Sequence, residues 1–219
     1  MELPHASGIM SFLLSLFGKN KRLIKDRGAI VLTASQPFTS ALVMSNTQMF
    51  KYCWIWEKPQ GTDPFMSGIR PMNNYEDICI FSLGTTFYNP QKASGDPYKV
   101  VRDRRKPRVL ETTDTAMRMT KTINHGNRCP TRILNFDQER GYHPTQKPVA
   151  LFEYLIKTYT NEGDLVLDNC IGSGTTAVAA KRTGRHFIGI ELSSEYCEIA
   201  RKRVAAVPAR LDRWAEADA

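Results

Sequence analysis

Short apolar runs separated by turn-forming residues recur along the chain and predict strands that alternate with helices. Residues 28–34 start at a glycine and end before a Gln-Pro pair, which is typical of a buried strand. Residues 50–56 are rich in aromatic residues, and residues 77–81 repeat the apolar pattern after a loop rich in Pro and Asn. A helical composition over residues 13–25 precedes the first strand. Helix followed by strand predicts an α/β domain.

The pattern is most regular in the last third of the chain. Apolar positions at helical spacing follow Pro148, a residue that suits the first position of a helix. The elements predicted after this helix are a strand at 164–168, a helix at about 174–183, a strand at 186–190 and a helix at about 194–206. Between Tyr88 and Tyr142 the periodicity disappears, and we interpret this stretch as an inserted module or long loops.

Composition narrows the class of protein. The 219 residues are 42% hydrophobic, without an apolar stretch near the ~18 residues of a membrane span, so we expect a soluble globular protein. Residues 9–17 are apolar but lack the flanks of a signal peptide. Five cysteines without a C-x-x-C pair argue against a zinc site and a disulfide framework, and so predict a reducing cytoplasm and no metal.

The net charge of +8 is concentrated in one stretch of the chain. From Lys99 to Lys147 there are 12 Lys or Arg against 5 Asp or Glu. Such a basic block is typical of a surface that binds a polyanion, because neutralised phosphates release their counterions. A solvated basic loop without a partner is the alternative.

A candidate ligand cradle lies where the predicted strand 164–168 ends. Asp168 is followed by a turn containing Gly172 and Gly174, and Glu191 stands at the tip of the next predicted strand. Glycines let a backbone approach a ligand closely, and an acidic residue at that tip accepts hydrogen bonds from ribose hydroxyls. The same residues also match a G-x-G-x-x-A dinucleotide motif. Asp168 either binds the ammonium of S-adenosylmethionine, a group that NAD lacks, or caps its own turn.

A second motif, His-Pro-Thr-Gln-Lys-Pro at residues 143–148, joins the basic stretch to the cradle. Together with the Asp-x-x-x-Gly-Ser-Gly-Thr-Thr turn and the later Gly-Ile-Glu, it resembles the DNA amino-methyltransferases that modify adenine or cytosine. The order of the motifs is similar to the permuted arrangement of that family, in which the cofactor half comes last. The resemblance implies an α/β, Rossmann-like and circularly permuted methyltransferase fold that uses S-adenosylmethionine.

The resemblance also implies site residues and domain boundaries. The residues expected to bind the cofactor are Thr145, Gln146, Lys147, Asp168, Cys170, Gly172, Gly174, Thr175 and Glu191, with Cys170 replacing the aromatic residue usual in the family. Those expected to bind double-stranded DNA are Arg102, Arg104, Arg105, Lys106 and Arg108. The expected domains are a catalytic half at 1–87, a target-recognition insertion at 88–142, a cofactor-binding half at 143–206 and a flexible tail at 207–219.

The catalytic motif of the family is absent from this sequence. It is an (Asp/Asn/Ser)-Pro-Pro-(Tyr/Phe) turn that holds the target amine and stacks on the flipped base. Gly95-Asp96-Pro97-Tyr98 follows no apolar strand, and we interpret it as a coincidence. We therefore assign no catalytic residue, and we expect a fold that is incomplete on its N-terminal side, with two inner strand edges unpaired. Residues 9–17 as a substitute strand, or a partner that fills the gap, would account for this. The simpler explanation is a truncated chain or a reading frame that starts upstream of Met1.

These observations predict a site-specific DNA methyltransferase, impaired as given, in the cytoplasm of a bacterium or phage-infected host. One alternative is a non-catalytic remnant of a phage or restriction-modification gene, which binds DNA and the cofactor without turnover. Another is an NAD-dependent oxidoreductase, which would leave the basic stretch and residues 143–148 without a role. No residue pattern in the sequence indicates the recognition sequence, the choice between adenine and cytosine, or the oligomeric state.

Overall fold

The computed structural model describes residues 23–62, 64–102 and 120–208. The described chain forms two compact units, one of residues 90–130 and one of the remaining residues. The smaller unit lies inside the predicted insertion at 88–142. The apolar segment 9–17 and almost all of the predicted helix at 13–25 lie outside the described residues.

A four-stranded mixed sheet dominates the larger unit. Its strands are β1 (Ile30–Ala34), β2 (Phe50–Thr62), β3 (Asn73–Phe81) and β8 (Ile133–Asn135), in the order β1-β3-β2-β8. The neighbours β1 and β3, and β3 and β2, run antiparallel, whereas β2 and β8 run parallel. The predicted strands are all present, and β2 and β3 extend beyond the apolar runs that predict them. The pattern misses helix α1 (Phe38–Ser45), which follows β1.

Both faces of this sheet are covered by the chain. Ile78 and Ile80 face helix α2 (Val149–Tyr159) in one core cluster, while Cys79 and Phe81 face α1 in another. All four side chains are fully buried, because alternate positions of a strand point to opposite faces. Strand β3 is therefore apolar throughout its last four residues, as expected of a strand with helices on both sides.

A separate parallel pair follows along the chain. It consists of β9 (Leu165–Asp168) and β10 (His186–Gly189), with helices α3 (Thr175–Arg182) and α4 (Ser194–Ala205). One face carries Val166 and Phe187 and packs in a core cluster with both helices. The opposite face leaves large apolar side chains exposed, namely Leu165 (55%), Leu167 (41%), Ile188 (49%) and Ile190 (50%).

Strands β1 and β9 each have an open edge among the described residues, as do β8 and β10 at the other ends of the same sheets. There, β1 pairs only with β3, and β9 pairs only with β10. At the start of the two strands, Lys25 Nζ lies 3.0 Å from Asp164 Oδ1. The unpaired inner edges stay a prediction, because residues 1–22 lie outside the described part of the chain.

Helix α2 connects the two sheets. Leu151 and Leu155 pack on the four-stranded sheet, whereas Val149 and Ile156 pack with α3. The helix begins at Val149, so Pro148 is its N-cap, whereas the sequence predicts this proline as the first helical residue. A carboxylate supplies the cap that a proline cannot, because Glu139 Oε1 accepts from Val149 N at 2.9 Å.

The smaller unit contains two short antiparallel pairs. Strand β4 (Ala93–Ser94) pairs with β7 (Asn127–Arg128), and β5 (Tyr98–Arg102) pairs with β6 (Thr120–Asn124). Arg128 fixes the connection, since it donates to Asn124 Oδ1 at 2.8 Å and lies 4.8 Å from the centre of the Tyr98 ring. In the part of the chain that the structure describes, no helix has the length and apolar character needed to cross a membrane.

Candidate cofactor site

The glycine turn between β9 and α3 is held closely against helix α4. Gly174 adopts φ +86°, a left-handed conformation that glycine tolerates and other residues rarely adopt. A Cβ at this position would lie 2.8 Å from Ala200 Cβ, which is too close for two carbon atoms. Both the backbone conformation and the packing of α4 therefore require glycine at position 174.

Asp168 caps the turn that it opens. Its Oδ1 accepts from Cys170 N at 3.0 Å, and its Oδ2 accepts from the hydroxyl of Thr176. The sequence leaves two roles open for this residue, and the structure gives the capping role directly. Each carboxylate oxygen retains a further acceptor site for a ligand donor.

Glu191 connects the tip of β10 with the turn. Its Oε2 accepts from Gly172 N at 2.8 Å, and its Oε1 accepts from the amides of Leu192 (2.9 Å) and Ser193 (3.0 Å). The amides of Ser193 and Gly172 hold the pKa of this carboxyl below its usual range, so it is ionised at neutral pH. The structure thus brings Asp168, the two glycines and Glu191 together, as the sequence predicts.

The segment 143–148 reaches the turn through its backbone. Thr175 Oγ1 donates to the Lys147 carbonyl at 3.3 Å. The Thr145 hydroxyl Oγ1 lies 3.0 Å from His143 Nδ1, and Gln146 Oε1 accepts from Tyr142 N at 3.1 Å. The side chains of Thr145 and Gln146 therefore order their own loop, and their contact with a ligand stays a prediction.

The Lys147 side chain points to the four-stranded sheet. Its Nζ pairs with Glu76, which also pairs with Lys58 Nζ at 2.6 Å, and both ammonium groups lie near the Trp56 ring. Burial raises the pKa of Glu76, but the hydrogen bonds and charges of Lys147 and Lys58 outweigh it and hold that pKa below its usual range. Lys147 thereby couples the sheet to the segment that touches the turn.

Helix α4 contributes residues that the sequence motifs do not reveal. Tyr196, Ala200 and Arg203 form one helical stripe, at spacings of four and three residues, that faces the turn. The Tyr196 ring lies 4.5 Å from the His143 ring, and Arg203 Nη1 donates to Ser173 O at 2.8 Å. The spacing of this stripe is visible in the sequence, but its direction depends on the packing of α4.

The remaining predicted residues are Cys170, which contributes only its backbone amide to this cluster, and the residues expected to bind DNA. Cys170 is exposed as a whole, but partial desolvation of its thiol, followed by the charges of Asp168 and Glu191, raises the thiol pKa, so the thiol is protonated at neutral pH. Arg102 ends β5, but its side chain is outside the described part. The other predicted DNA-binding residues lie outside the described residues altogether, namely Arg104, Arg105, Lys106 and Arg108.

Comparison with known sequences identifies relatives of the chain. A family model described as DNA methylase, that of the N6 and N4 methyltransferases, matches residues 5–202. The type II methyltransferase M.HpaI of Haemophilus parainfluenzae is 30% identical over 187 residues, which are 84% of this chain and 55% of M.HpaI. The type II methyltransferase M2.DpnII of Streptococcus pneumoniae is 59% identical over 66 residues, 30% of this chain and 25% of that protein. The matches therefore span about half or less of these relatives.

Solved structures agree with this result at the level of the fold. The M1.HpyAVI–SAM complex superposes with a TM-score of 0.60 and 26% identity, covering 87% of this chain and 80% of its own. The cytosine-N4-specific PvuII DNA methyltransferase gives a TM-score of 0.65 at 18% identity, with 89% and 70% coverage. The α/β fold is that of the DNA methyltransferases. Because the family model matches most of the sequence, the chain belongs to the N6/N4 DNA methylase family.

Proposed function

We propose that the chain belongs to an enzyme that transfers a methyl group from S-adenosylmethionine to the exocyclic amino group of adenine or cytosine in DNA. The observation that carries the proposal is the convergence of Asp168, the glycine turn and Glu191 within one set of hydrogen bonds. Family membership and the fold support the same reaction class.

The residues of the turn fit that cofactor. Three amides occupy three of the approximately four acceptor positions of the Glu191 carboxylate, which leaves a place for a ribose hydroxyl. Asp168 has room for an ammonium on both oxygens. A Cβ on Gly172 would lie 3.6 Å from His143, so glycine keeps the space between them open. We propose that Thr145 to Lys147 close over the methionine end of the ligand.

In methyl transfer from this cofactor, the main task of the protein is to align the methyl group with the target amine. When bound, S-adenosylmethionine would supply an activated methyl group. Direct transfer to an amine placed in line with it would break the sulfonium S–C bond, form an N–C bond and release one proton from the amine. A covalent cysteine intermediate is not needed. The raised pKa of the Cys170 thiol agrees with this, because a protonated thiol is a poor nucleophile.

A titration with two ligands tests the site. We expect the chain to bind S-adenosylmethionine and not NAD, and we expect Glu191→Gln to weaken binding of the former about tenfold by loss of a charged acceptor. The exposed Glu195, four residues further on in α4, provides the matched control Glu195→Gln, with unchanged affinity expected. Uptake of NAD in place of S-adenosylmethionine would contradict the proposal.

A methyl-transfer assay on duplex DNA tests the reaction. Tritiated S-adenosylmethionine measures incorporation, and mass spectrometry of the nucleosides distinguishes N6-methyladenine from N4-methylcytosine. We propose that transfer by this exact chain is impaired, because the sequence lacks the catalytic tetrapeptide. The assay therefore includes the chain extended by translation of the DNA upstream of Met1.

A non-catalytic remnant is the second candidate. The absent tetrapeptide and the open edges of β1 and β9 among the described residues favour it. It predicts cofactor binding without incorporation by either the chain or its upstream extension.

We propose that the protein acts in the cytoplasm. We also propose that its partner is double-stranded DNA and that the basic insertion binds it. Arg104 and Arg105 are the first candidates for binding phosphates. Replacing both with Ala should reduce the slope of log affinity against log salt by about 0.9 for each phosphate that is no longer neutralised. The exposed Lys157 on α2 gives the control Lys157→Ala, for which the slope should not change.

A further inference from the structure

Arg203 lies in the last turn of α4, where its own helix dipole favours a cation, but its guanidinium reaches the opposite end of another helix dipole. The guanidinium lies at the N-terminal end of α3, since its Nη1 contacts Ser173 O at 2.8 Å, Ser173 Oγ at 3.0 Å and Thr175 Oγ1 at 3.4 Å. The N-terminus of a helix is the positive end of its dipole, which repels a cation. Among the described residues, no carboxylate lies within ion-pair distance of Arg203.

Burial adds to this cost. Burial is the main cause that lowers the pKa of Arg203, which is the direction expected when a charged group leaves water, and the charge of Glu139 only partly offsets it. The Tyr142 ring, 4.6 Å from the guanidinium carbon, covers the cation. The site therefore keeps a partly desolvated arginine whose main hydrogen-bond partners belong to the glycine turn.

The contact with Ser173 O fixes one particular peptide group. The Ser173 carbonyl and the Gly174 amide belong to the same planar unit, and the Gly174 amide donates to Ile171 O at 2.9 Å. Glycine accepts φ of either sign at similar cost, so this unit keeps one orientation only while its hydrogen bonds hold it, from inside the turn at the Gly174 amide and from outside it at the Ser173 carbonyl. Arg203 is placed to select the orientation with Gly174 at φ +86°.

The same guanidinium also connects the turn with the segment before α2. Thr175 Oγ1, which accepts from Arg203, donates to the Lys147 carbonyl at 3.3 Å. Tyr142 begins that segment and stacks on Arg203. Three pieces of chain distant in sequence thus meet at one side chain.

We propose that Arg203 is a positioning residue for the cofactor turn: it locks the 173–174 peptide in the orientation that binds S-adenosylmethionine. This inference rests on the proposed function only for the identity of the ligand. Arg203 acts through the turn and needs no contact with the ligand.

Two variants of Arg203 and two controls test the proposal by calorimetry. Arg203→Met should lower the affinity for S-adenosylmethionine about 10- to 100-fold, and Arg203→Lys, which restores one charged donor, should recover part of it. Arg201→Met carries the same substitution on the exposed side of α4 and should change affinity by less than about twofold. Val207→Ala removes buried packing beyond the stripe and should lower the melting temperature without lowering affinity.

A ligand-free measurement separates this inference from the proposed function. In Arg203→Met, hydrogen exchange at the Gly174 amide should accelerate while amides in the middle of α4 keep their protection. Unchanged exchange at Gly174 would overturn the positioning role, as would equal affinity losses in Arg203→Met and Val207→Ala. A third outcome is that the parent chain does not bind S-adenosylmethionine while Arg203→Met still accelerates exchange at Gly174. That outcome would overturn the proposed ligand and leave the positioning role of Arg203 intact.

Discussion

The four-stranded sheet and the β9–β10 pair differ in how much of their surface the described chain covers. In the first, Ile78 and Ile80 on one face and Cys79 and Phe81 on the other are all fully buried. In the second, Val166 and Phe187 are packed, whereas the opposite face is about half exposed. Apolar side chains exposed side by side are unusual in a monomeric soluble domain.

The difference shows which part of the site the chain builds by itself. The glycine turn stands on the less covered sheet, yet its contacts come from Glu191, Arg203 and the Lys147 carbonyl. None of these contacts depends on the exposed face of β9 and β10. Cofactor binding should therefore tolerate changes on that face, while it should be very sensitive to the turn.

The largest effect is expected for Gly174→Ala. Alanine would be strained at φ +86°, and its Cβ would collide with Ala200, so affinity for S-adenosylmethionine should fall at least about 100-fold. Gly163 is the matched control, because it has φ +79° and open space where a Cβ would stand. Gly163→Ala should reduce stability slightly and leave the affinity measured by calorimetry unchanged. Equal affinities for the two variants would refute the assignment of the turn.

The second prediction compares isoleucines from the two sheets. Ile80→Ala creates a cavity in a fully buried position and should lower the free energy of unfolding by about 2–5 kcal/mol. Ile188→Ala, about half exposed on β10, should cost about 1 kcal/mol or less. Urea unfolding of both variants measures the difference. A large cost at Ile188 would show that this face is covered in the intact protein.

The third prediction concerns the charge cluster that couples the sheet to the turn. Glu76→Gln leaves Lys58 and Lys147 without their carboxylate. This should lower the free energy of unfolding by about 2–4 kcal/mol at neutral pH. The loss stays in this range because both lysine side chains are partly exposed to water. Because folding lowers the pKa of Glu76, its stabilisation is present above the ordinary glutamate pKa and is lost as pH falls through the lowered value. The difference between parent and variant should therefore shrink in acid, and a difference independent of pH would contradict this account.

The smallest effect is expected for a surface ion pair in the cofactor half. Arg182 Nη1 lies 3.4 Å from Glu153 Oε1, with the Arg182 side chain 54% exposed. Glu153→Gln should change the free energy of unfolding by about 0.5 kcal/mol or less, because water screens an exposed pair. Chemical denaturation measures this change. A loss as large as that of Glu76→Gln would contradict the claim that the exposed Arg182–Glu153 pair contributes less stability than the Glu76 cluster.

The pattern of residues along the chain is enough to predict most of the local elements and the identity of the turn. Apolar periodicity predicted β1, α2, β9, α3, β10 and α4, because period and burial are linked within one helix or strand. The spacing from Gly174 to Glu191 predicted that the turn and the acidic tip would meet, since adjacent parallel strands end at the same edge. Helix α1 was missed because its eight residues follow a Gln-Pro turn and are apolar on most sides.

Tertiary structure alone decided which side chains support the turn. The ammonium of Lys147 pairs with Glu76, a residue 71 positions earlier in the chain, while its contact with a ligand stays a prediction. Arg203 and Tyr142 meet only because α4 packs against the turn at Ala200. A sequence pattern shows which residues share one face of a helix or strand. Long-range packing determines what that face contacts, so these contacts can be identified only in the folded chain.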